Sequence, residues 1–311
     1  MRIAIGGGSG FIGQALTKYW SREGHEIIVL SRRITKITKQ ISSEKVKHIT
    51  WEEALANSTV LEGLDGFVNL AGASLNQRWT SSAKNSILNS RVQTVKQASS
   101  LLAKLTTKPK VLIQSSAVGI YGISTEDTFD ESSTICPSDF LSEVCVHWES
   151  EADAFTSLGI RTVKLRTGLV LGHSGGAFPL IKLPYMLGFG GRIGSGSQWM
   201  SWIHLHDLVR LIDHCIKHST LNGPVNATAP KPVTNDEFGR TIGSVYRRPH
   251  WFPLPERLMR IVLGERATLL LDGQRVLPQQ ALQSGFQFQF ADLKSALKDL
   301  RYSGALGSAL D

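Results

Sequence analysis

Three cysteines, Cys136, Cys145 and Cys215, are too few and too widely spaced for a metal-ligand set or a disulfide framework. They read as ordinary core or boundary residues, and no metal site is expected. No apolar run approaches the length of a bilayer span, so no membrane partner is expected. The first strand-like run begins at the second residue and leaves no room for a signal peptide, which makes a cytoplasmic protein the expectation. Basic residues do not alternate with aromatics, and no helix-turn-helix or zinc spacing occurs. Nucleic acid is therefore not an expected partner, although the formal charge is +8 and the pI about 9.5. The local basic run is Arg32-Arg33 followed by Lys36, Lys39, Lys45 and Lys47. It reads as a solvated surface beside a phosphate-binding cleft. Nothing fixes the oligomeric state, and a homo-oligomer is compatible with the sequence.

What is present begins at once. Met1 to Ile5 reads as a buried strand, and Gly6-Gly7-Gly8-Ser9-Gly10-Phe11-Ile12-Gly13 follows it. Gly7, Gly10 and Gly13 have the spacing GxxGxxG. One glycine makes the tight strand-to-helix turn, a second admits a pyrophosphate, and a third lets helix and strand pack closely. The following helix N-terminus offers unpaired N–H groups to the anion.

With 311 residues, 41% of them hydrophobic, a full core is available for one large or two modest domains. Apolar periodicity predicts helices over 14–23, 80–105, 141–157 and 208–218, with Asp207 as the N-cap of the last. Strands are expected over 26–30, 46–49, 66–70, 110–114, 162–165 and 224–227. Further helices are expected over 234–243, 255–263 and 291–300. Strands alternating with helices imply an α/β fold: a Rossmann-type doubly wound parallel sheet covered on both faces. From about residue 172 the chain turns glycine-rich and charge-poor, as suits loops around a substrate. The expected domains are 1–171, which binds the dinucleotide and recruits residues 197–230 to its core, and a smaller mixed substrate-covering domain, 172–311.

The second strand ends in Leu30-Ser31-Arg32-Arg33. An NAD enzyme places a carboxylate there for the ribose hydroxyls. Paired guanidiniums instead fit a 2′-phosphate, so NADP(H) is the expected cofactor. Asn69-Leu70-Ala71-Gly72 ends the fourth strand with small residues that let a cofactor lie across the sheet edge.

These stretches, with Arg78-Trp79, Ser90-Arg91, residues 115–122, 139–145, 166–172 and 202–208, resemble the extended short-chain dehydrogenase/reductase superfamily. Within it the chain is similar to the SDR39-type epimerase family of NADP-binding proteins, and residues 271–278 resemble its small C-terminal segment. The resemblance covers essentially the whole chain. It implies that Gly7, Gly10, Phe11, Ile12, Gly13, Ser31, Arg32 and Arg33 hold the adenosine and phosphate parts of the cofactor. It further implies that Leu70, Ala71, Gly72, Arg91 and Ser115 line the cofactor, and that Leu169 approaches the nicotinamide end.

One departure stands out. Most of the superfamily uses a tyrosine with a lysine four residues on, the phenol moving a proton while the lysine lowers its pKa. Here Tyr19, Tyr121, Tyr185, Tyr246 and Tyr302 are followed at that spacing by Glu23, Thr125, Phe189, His250 and Leu306. At the expected place stand Phe140 and Val144, or one residue on, Leu141 and Cys145. Ser115 or Ser116 remains to orient a substrate oxygen, and Tyr121, His204 or water to move the proton. Ser116 and Tyr121 are the catalytic candidates. His204 and His206 alternate on an expected extended segment, which argues against a shared metal. Glu149 and Glu151 do not share a helix face. Two functions fit: an NADP-dependent oxidoreductase or epimerase-family enzyme transferring hydride on a small carbonyl or alcohol, and a non-catalytic NADP(H)-binding sensor or structural protein.

Overall fold

The computed structural model describes residues 1–34 and 44–306. Lys36 and Lys39 of the basic run lie outside the described residues. Seven parallel strands form the main sheet: β1 (Arg2–Gly6), β2 (Glu26–Ser31), β3 (Val46–Thr50), β4 (Gly66–Asn69), β5 (Val111–Ala117), β7 (Arg161–Thr167) and β11 (Gly223–Ala227). The intervening short strands are β6 (Thr128–Phe129), β8 (Leu169–Leu171), β9 (Trp199–Met200) and β10 (Trp202–His204), and β12 (Val233–Thr234) and β13 (Arg275–Val276) come later. The order across the sheet is β11-β7-β5-β4-β1-β2-β3. The chain moves outward from β1 in one direction and then returns past it, so the switch point lies between β1 and β4. All carboxyl ends share one edge, the edge at which open α/β sheets hold their ligands, in the crevice at the switch point.

The central strands are apolar throughout, because helices cover both faces. Ile3, Ile5, Ile27 and Val29 face one core; Ala4, Ile28, Leu30 and Phe67 face the other. The first core is closed by α1 (Phe11–Arg22) and α7 (Leu205–Lys217), tied by the Trp20 indole, which donates to Asp213 at 2.9 Å. The second is closed by α2 (Trp51–Ala56), α3 (Ser81–Ala103), α4 (Phe140–Glu151) and α5 (Asp153–Ser157). The remaining helices are α6 (Phe178–Met186), α8 (Asn235–Tyr246), α9 (Glu256–Leu263), α10 (Thr268–Leu271), α11 (Gln279–Gln283) and α12 (Leu293–Leu306). A third core joins Phe178, Trp202, Phe238 and Leu297 beneath the smaller part. The packing crosses residue 171, since β11 completes the main sheet and α7 covers it.

Four local expectations need correction. Helix α1 starts at Phe11 rather than residue 14, because the extended Gly10 (φ −79°, ψ 173°) turns the chain directly into it. The span 141–157 is two helices that meet at Ala152. Asp207 is not the N-cap of α7: His204 is, its Nδ1 accepting the His206 N–H at 3.2 Å. Asp207 is instead fully buried and accepts the backbone N–H groups of Gln289 and Phe290 at 2.9 and 2.8 Å. The extended segment also ends at His204, so the two histidine rings both lie against Phe290 instead of pointing apart. No cluster of metal-ligating side chains occurs among the described residues.

Candidate cofactor-binding and active site

The turn after β1 is clamped from both sides. Gly7 N–H donates to Leu30 O of β2 at 2.9 Å, and Leu70 N–H donates to Gly6 O at 2.8 Å. Gly7 has φ +79°, and a Cβ there would lie 2.9 Å from Ala71 N, so the loops after β1 and β4 touch through a bare backbone. Gly13 closes the turn, since its Cβ would meet Gly8 Cα at 2.5 Å. Gly10 differs. A Cβ there meets one atom, Gly7 O at 3.3 Å, and otherwise open space. Gly10 also caps α1 without any side-chain hydrogen bond. The first-turn N–H groups of α1 therefore face an open cradle, the geometry a pyrophosphate requires. Ile12 is half-buried and packs on the core below. The ring of Phe11 is held by a different segment: Cβ atoms at Gly172 and Gly175 would fall within 2.4 and 2.3 Å of it. Phe11 thus ties α1 to the loop after β8 through its ring, leaving only its backbone for a ligand.

At the end of β2, Ser31 is buried and donates through Oγ to Arg33 O at 2.9 Å, which fixes the backbone from which Arg32 and Arg33 project into solvent. Across the crevice, Asn69 donates to Gln114 Oε1 at 2.9 Å and accepts Ala71 N–H at 3.3 Å. Ala71 is buried, Leu70 half-buried and Gly72 exposed. Arg91 reaches this loop rather than open space. Its Nη1 donates to Ala73 O and to Ile87 O at 3.2 and 3.1 Å, and its guanidinium lies 5.0 Å from the Trp148 ring. Burial lowers its pKa from the ordinary arginine value. Arg91 thus holds the loop after β4 at Ala73 O. Ser115 is half-buried on β5. Leu169 pairs with β10 and packs on the third core.

The two catalytic candidates come together in one buried network. Ser116 Oγ donates to Glu149 Oε1 at 2.7 Å. Glu149 holds Arg166 through both carboxylate oxygens, each at 2.9 Å, with the pair almost wholly buried. Arg166 Nη1 donates to Tyr121 OH at 2.9 Å, and that hydroxyl donates to Asn226 Oδ1 at 2.8 Å. Asn226 Nδ2 then reaches Leu277 O at 2.9 Å, in the C-terminal segment. Both hydroxyls are therefore engaged in one sealed network. Burial raises the Tyr121 pKa above the ordinary phenol value, against the opposing pull of Arg166. This network was missed at the level of sequence, although it left a signal: Glu149 follows Cys145 and Trp148 on an apolar helix stripe, where a carboxylate needs a partner. His204 is also committed, as a helix cap with its Nε2 3.4 Å from Asp299.

The start of α4 carries no phenol. Asp139 caps the helix, accepting Ser142 N–H at 2.9 Å, and Phe140 follows. The Phe140 ring meets Trp79 edge-on at 5.5 Å, with Lys84 Nζ 5.2 Å away. Val144 and Cys145 are buried, and burial pushes the Cys145 thiol up to about 12. The segment before β13 closes over this corner. Glu265 pairs with Lys84, and Arg266 donates to Asn76 Oδ1 at 2.6 Å. Asp272 on that segment is half-buried. Burial holds its carboxyl above the usual carboxylate range, Arg260 pulls it down, and Asp139 and Glu256 push it up.

Comparison with known proteins agrees with this geometry. The model of the NAD dependent epimerase/dehydratase family matches residues 3–227, and a domain of unknown function (DUF1731) matches residues 254–300. Epimerase family protein YfhF of Bacillus subtilis is 44% identical over 301 residues, spanning 96% of this chain and 98% of that protein. Epimerase family protein MW0731 of Staphylococcus aureus is 38% identical over 297 residues, with 95% and 97% covered. Among solved structures, human epimerase family protein SDR39U1 (isoform 2), solved with NADPH, superposes with a TM-score of 0.88 at 36% identity. It covers 97% of this chain and 99% of that one. The fold, the glycine turn at the switch point and the matched length together show that this chain belongs to the NAD dependent epimerase/dehydratase family.

Proposed function

We propose that the protein binds NADP(H) at the Gly7–Gly13 turn and transfers hydride to or from a carbonyl or alcohol carbon of a small molecule. One conjunction carries this reading: the open cradle at an uncapped helix N-terminus, with two exposed arginines at the end of β2 where a carboxylate would favour NAD. The NADPH of the human structure supports the same cofactor. When bound, nicotinamide supplies or accepts the hydride. The chain does the rest. The N–H groups at the start of α1 take the pyrophosphate, and Arg32 and Arg33 grip the 2′-phosphate through forked donors. Arg91 holds the loop after β4 at Ala73 O. Tyr121 and Ser116 hold the floor of the site, and with both hydroxyls engaged in the network water exchanges the proton.

A second reading, an NADP(H)-binding sensor or structural protein without turnover, draws on Phe140 in place of the phenol. The two are separated by experiment. Calorimetric titration should show NADPH binding at least tenfold tighter than NADH, about 1.4 kcal/mol. Equal affinities would remove the cofactor assignment. Rapid-mixing assays with a panel of aldehydes and ketones should then show substrate-dependent NADPH consumption. Tight NADPH binding without consumption on any member would favour the sensor.

A further inference from the structure

The large apolar side chains left in solvent are unevenly spread. Leu180, Leu183 and Leu187 form one stripe along and just past α6, and Phe189 follows. Trp251 and Phe252 are exposed beside them. Backbone bonds join the two segments: Trp251 N–H and Phe252 N–H donate to Gly190 O at 2.9 and 3.1 Å, and Leu254 N–H donates to Arg192 O at 2.9 Å. The Trp251 indole donates to Gly188 O at 3.0 Å, and the Phe189 and Phe252 rings meet at 6.0 Å. Leu187, Phe189, Trp251 and Phe252 thus make one patch. Helix α9 leaves it directly after Pro255. A surface helix normally turns its apolar stripe inward. In α9 no side chain is buried. Leu258, Ile261 and Val262 share an arc of about 100°. Ile261 is 81% exposed and Val262 68%. Scattered exposed hydrophobes need no account, but a stripe beside an aromatic patch marks a contact surface.

Charge selects the occupant. Residues 178–194 and 247–263 contain Lys182, Arg192, Arg247, Arg248, Arg257 and Arg260 against Glu256 alone. Glu256 is already paired with Arg260 at 2.8 Å. A second copy docked on this face would set the cationic rim against itself. An anionic surface meets the rim and the apolar stripe together. We propose that this face lies on an anionic phospholipid bilayer, with Trp251 and the α9 stripe at the headgroup–acyl boundary and the arginines on lipid phosphates. The segment does not span: no described helix is long and apolar enough to cross a membrane. The expectation of no membrane partner rested on a missing span, and that criterion does not detect a helix lying in the interface plane.

The test is flotation of the full chain, with and without NADPH, on vesicles of phosphatidylglycerol and phosphatidylcholine or of phosphatidylcholine alone. Binding is expected on the anionic vesicles and should weaken as salt rises. Ile261→Asp should reduce it about tenfold. Arg248→Gln and Arg257→Gln should each cost about fivefold. These side chains are exposed, so an unchanged thermal midpoint separates loss of the surface from loss of the fold. Failure of the folded protein to float with anionic vesicles overturns the proposal, as does equal binding by Ile261→Asp. A concentration-dependent dimer that Ile261→Asp disperses, without vesicle binding, would assign the face to a second copy and equally overturn it.

Discussion

Replacing Tyr121 with phenylalanine removes one oxygen from the buried network and asks whether that oxygen serves the fold or the reaction. The hydroxyl accepts from Arg166 Nη1 at 2.9 Å and donates to Asn226 Oδ1 at 2.8 Å. Arg166 keeps its two bonds to Glu149, and Asn226 keeps its bond to Leu277 O. One donor and one acceptor lose a partner in a buried site, at about 1–3 kcal/mol for such a group. The ring still fills its place, stacked on Phe129 at 5.4 Å, so no cavity adds to this. A net loss of about 2 kcal/mol follows. Unfolding entropy scales with length, so for a chain of this size the thermal midpoint should fall by about 3 °C. Turnover on an accepted substrate should change by less than about threefold, against the 10²–10⁴-fold typical of a lost general acid. Thermal denaturation and a pH–rate profile on the same preparation decide the matter. An unchanged midpoint with a hundredfold slower rate, and the loss of a tyrosine-like ionisation, would refute the structural role and make Tyr121 the proton carrier.

Arg32→Ala should remove most of the preference for NADPH over NADH in calorimetry while leaving NADH binding nearly unchanged; equal loss for both cofactors would place the 2′-phosphate elsewhere. Gly10→Val should abolish NADPH binding without unfolding the chain, since its Cβ enters the open cradle and meets only Gly7 O at 3.3 Å; a folded variant with full affinity would move the pyrophosphate. Burial pushes Tyr185 and Tyr246 up to about 12. The unfolded chain therefore loses these protons first, from about pH 10. Their contribution to stability is complete below pH 10 and lost as pH rises through about 12, so denaturant midpoints should fall across that window; a flat profile there would contradict it.

The parts of the fold visible in the sequence are those with a strong local pattern. The apolar runs Ile3–Ile5 and Ile27–Leu30 announce buried parallel strands because both of their faces are covered. The turn between them is legible because glycine is required at particular backbone positions, and Arg32-Arg33 gain meaning only from standing next to that turn. What local pattern cannot convey is which distant groups complete a pair. Ser116, Tyr121, Glu149, Arg166 and Asn226 are up to 110 residues apart in sequence, and only the parallel register that sets Ser116 beside Arg166 brings them together. The same limit explains His204. Its neighbours suggested an extended segment, while the helix begins one residue later and recruits its imidazole as the cap.

The network also bears comparison with the phenol–lysine pair, which no tyrosine of this chain makes at the four-residue spacing. In that arrangement a cation beside the tyrosine favours its ionised form. Here a cation does stand beside a tyrosine, Arg166 with its guanidinium 5.0 Å from the Tyr121 ring. Its charge is already matched by Glu149, and the surrounding burial outweighs its pull on the phenol. The same residue types that could activate a proton carrier are thus locked into a neutral unit joining β5, α4, β7 and β11 to the C-terminal segment through Leu277. Removing Arg166 would strand a buried carboxylate, a loss of about 3–5 kcal/mol, which makes the unit costly to convert into a catalytic one. The C-terminal segment is thereby tied to the buried network through Leu277 O.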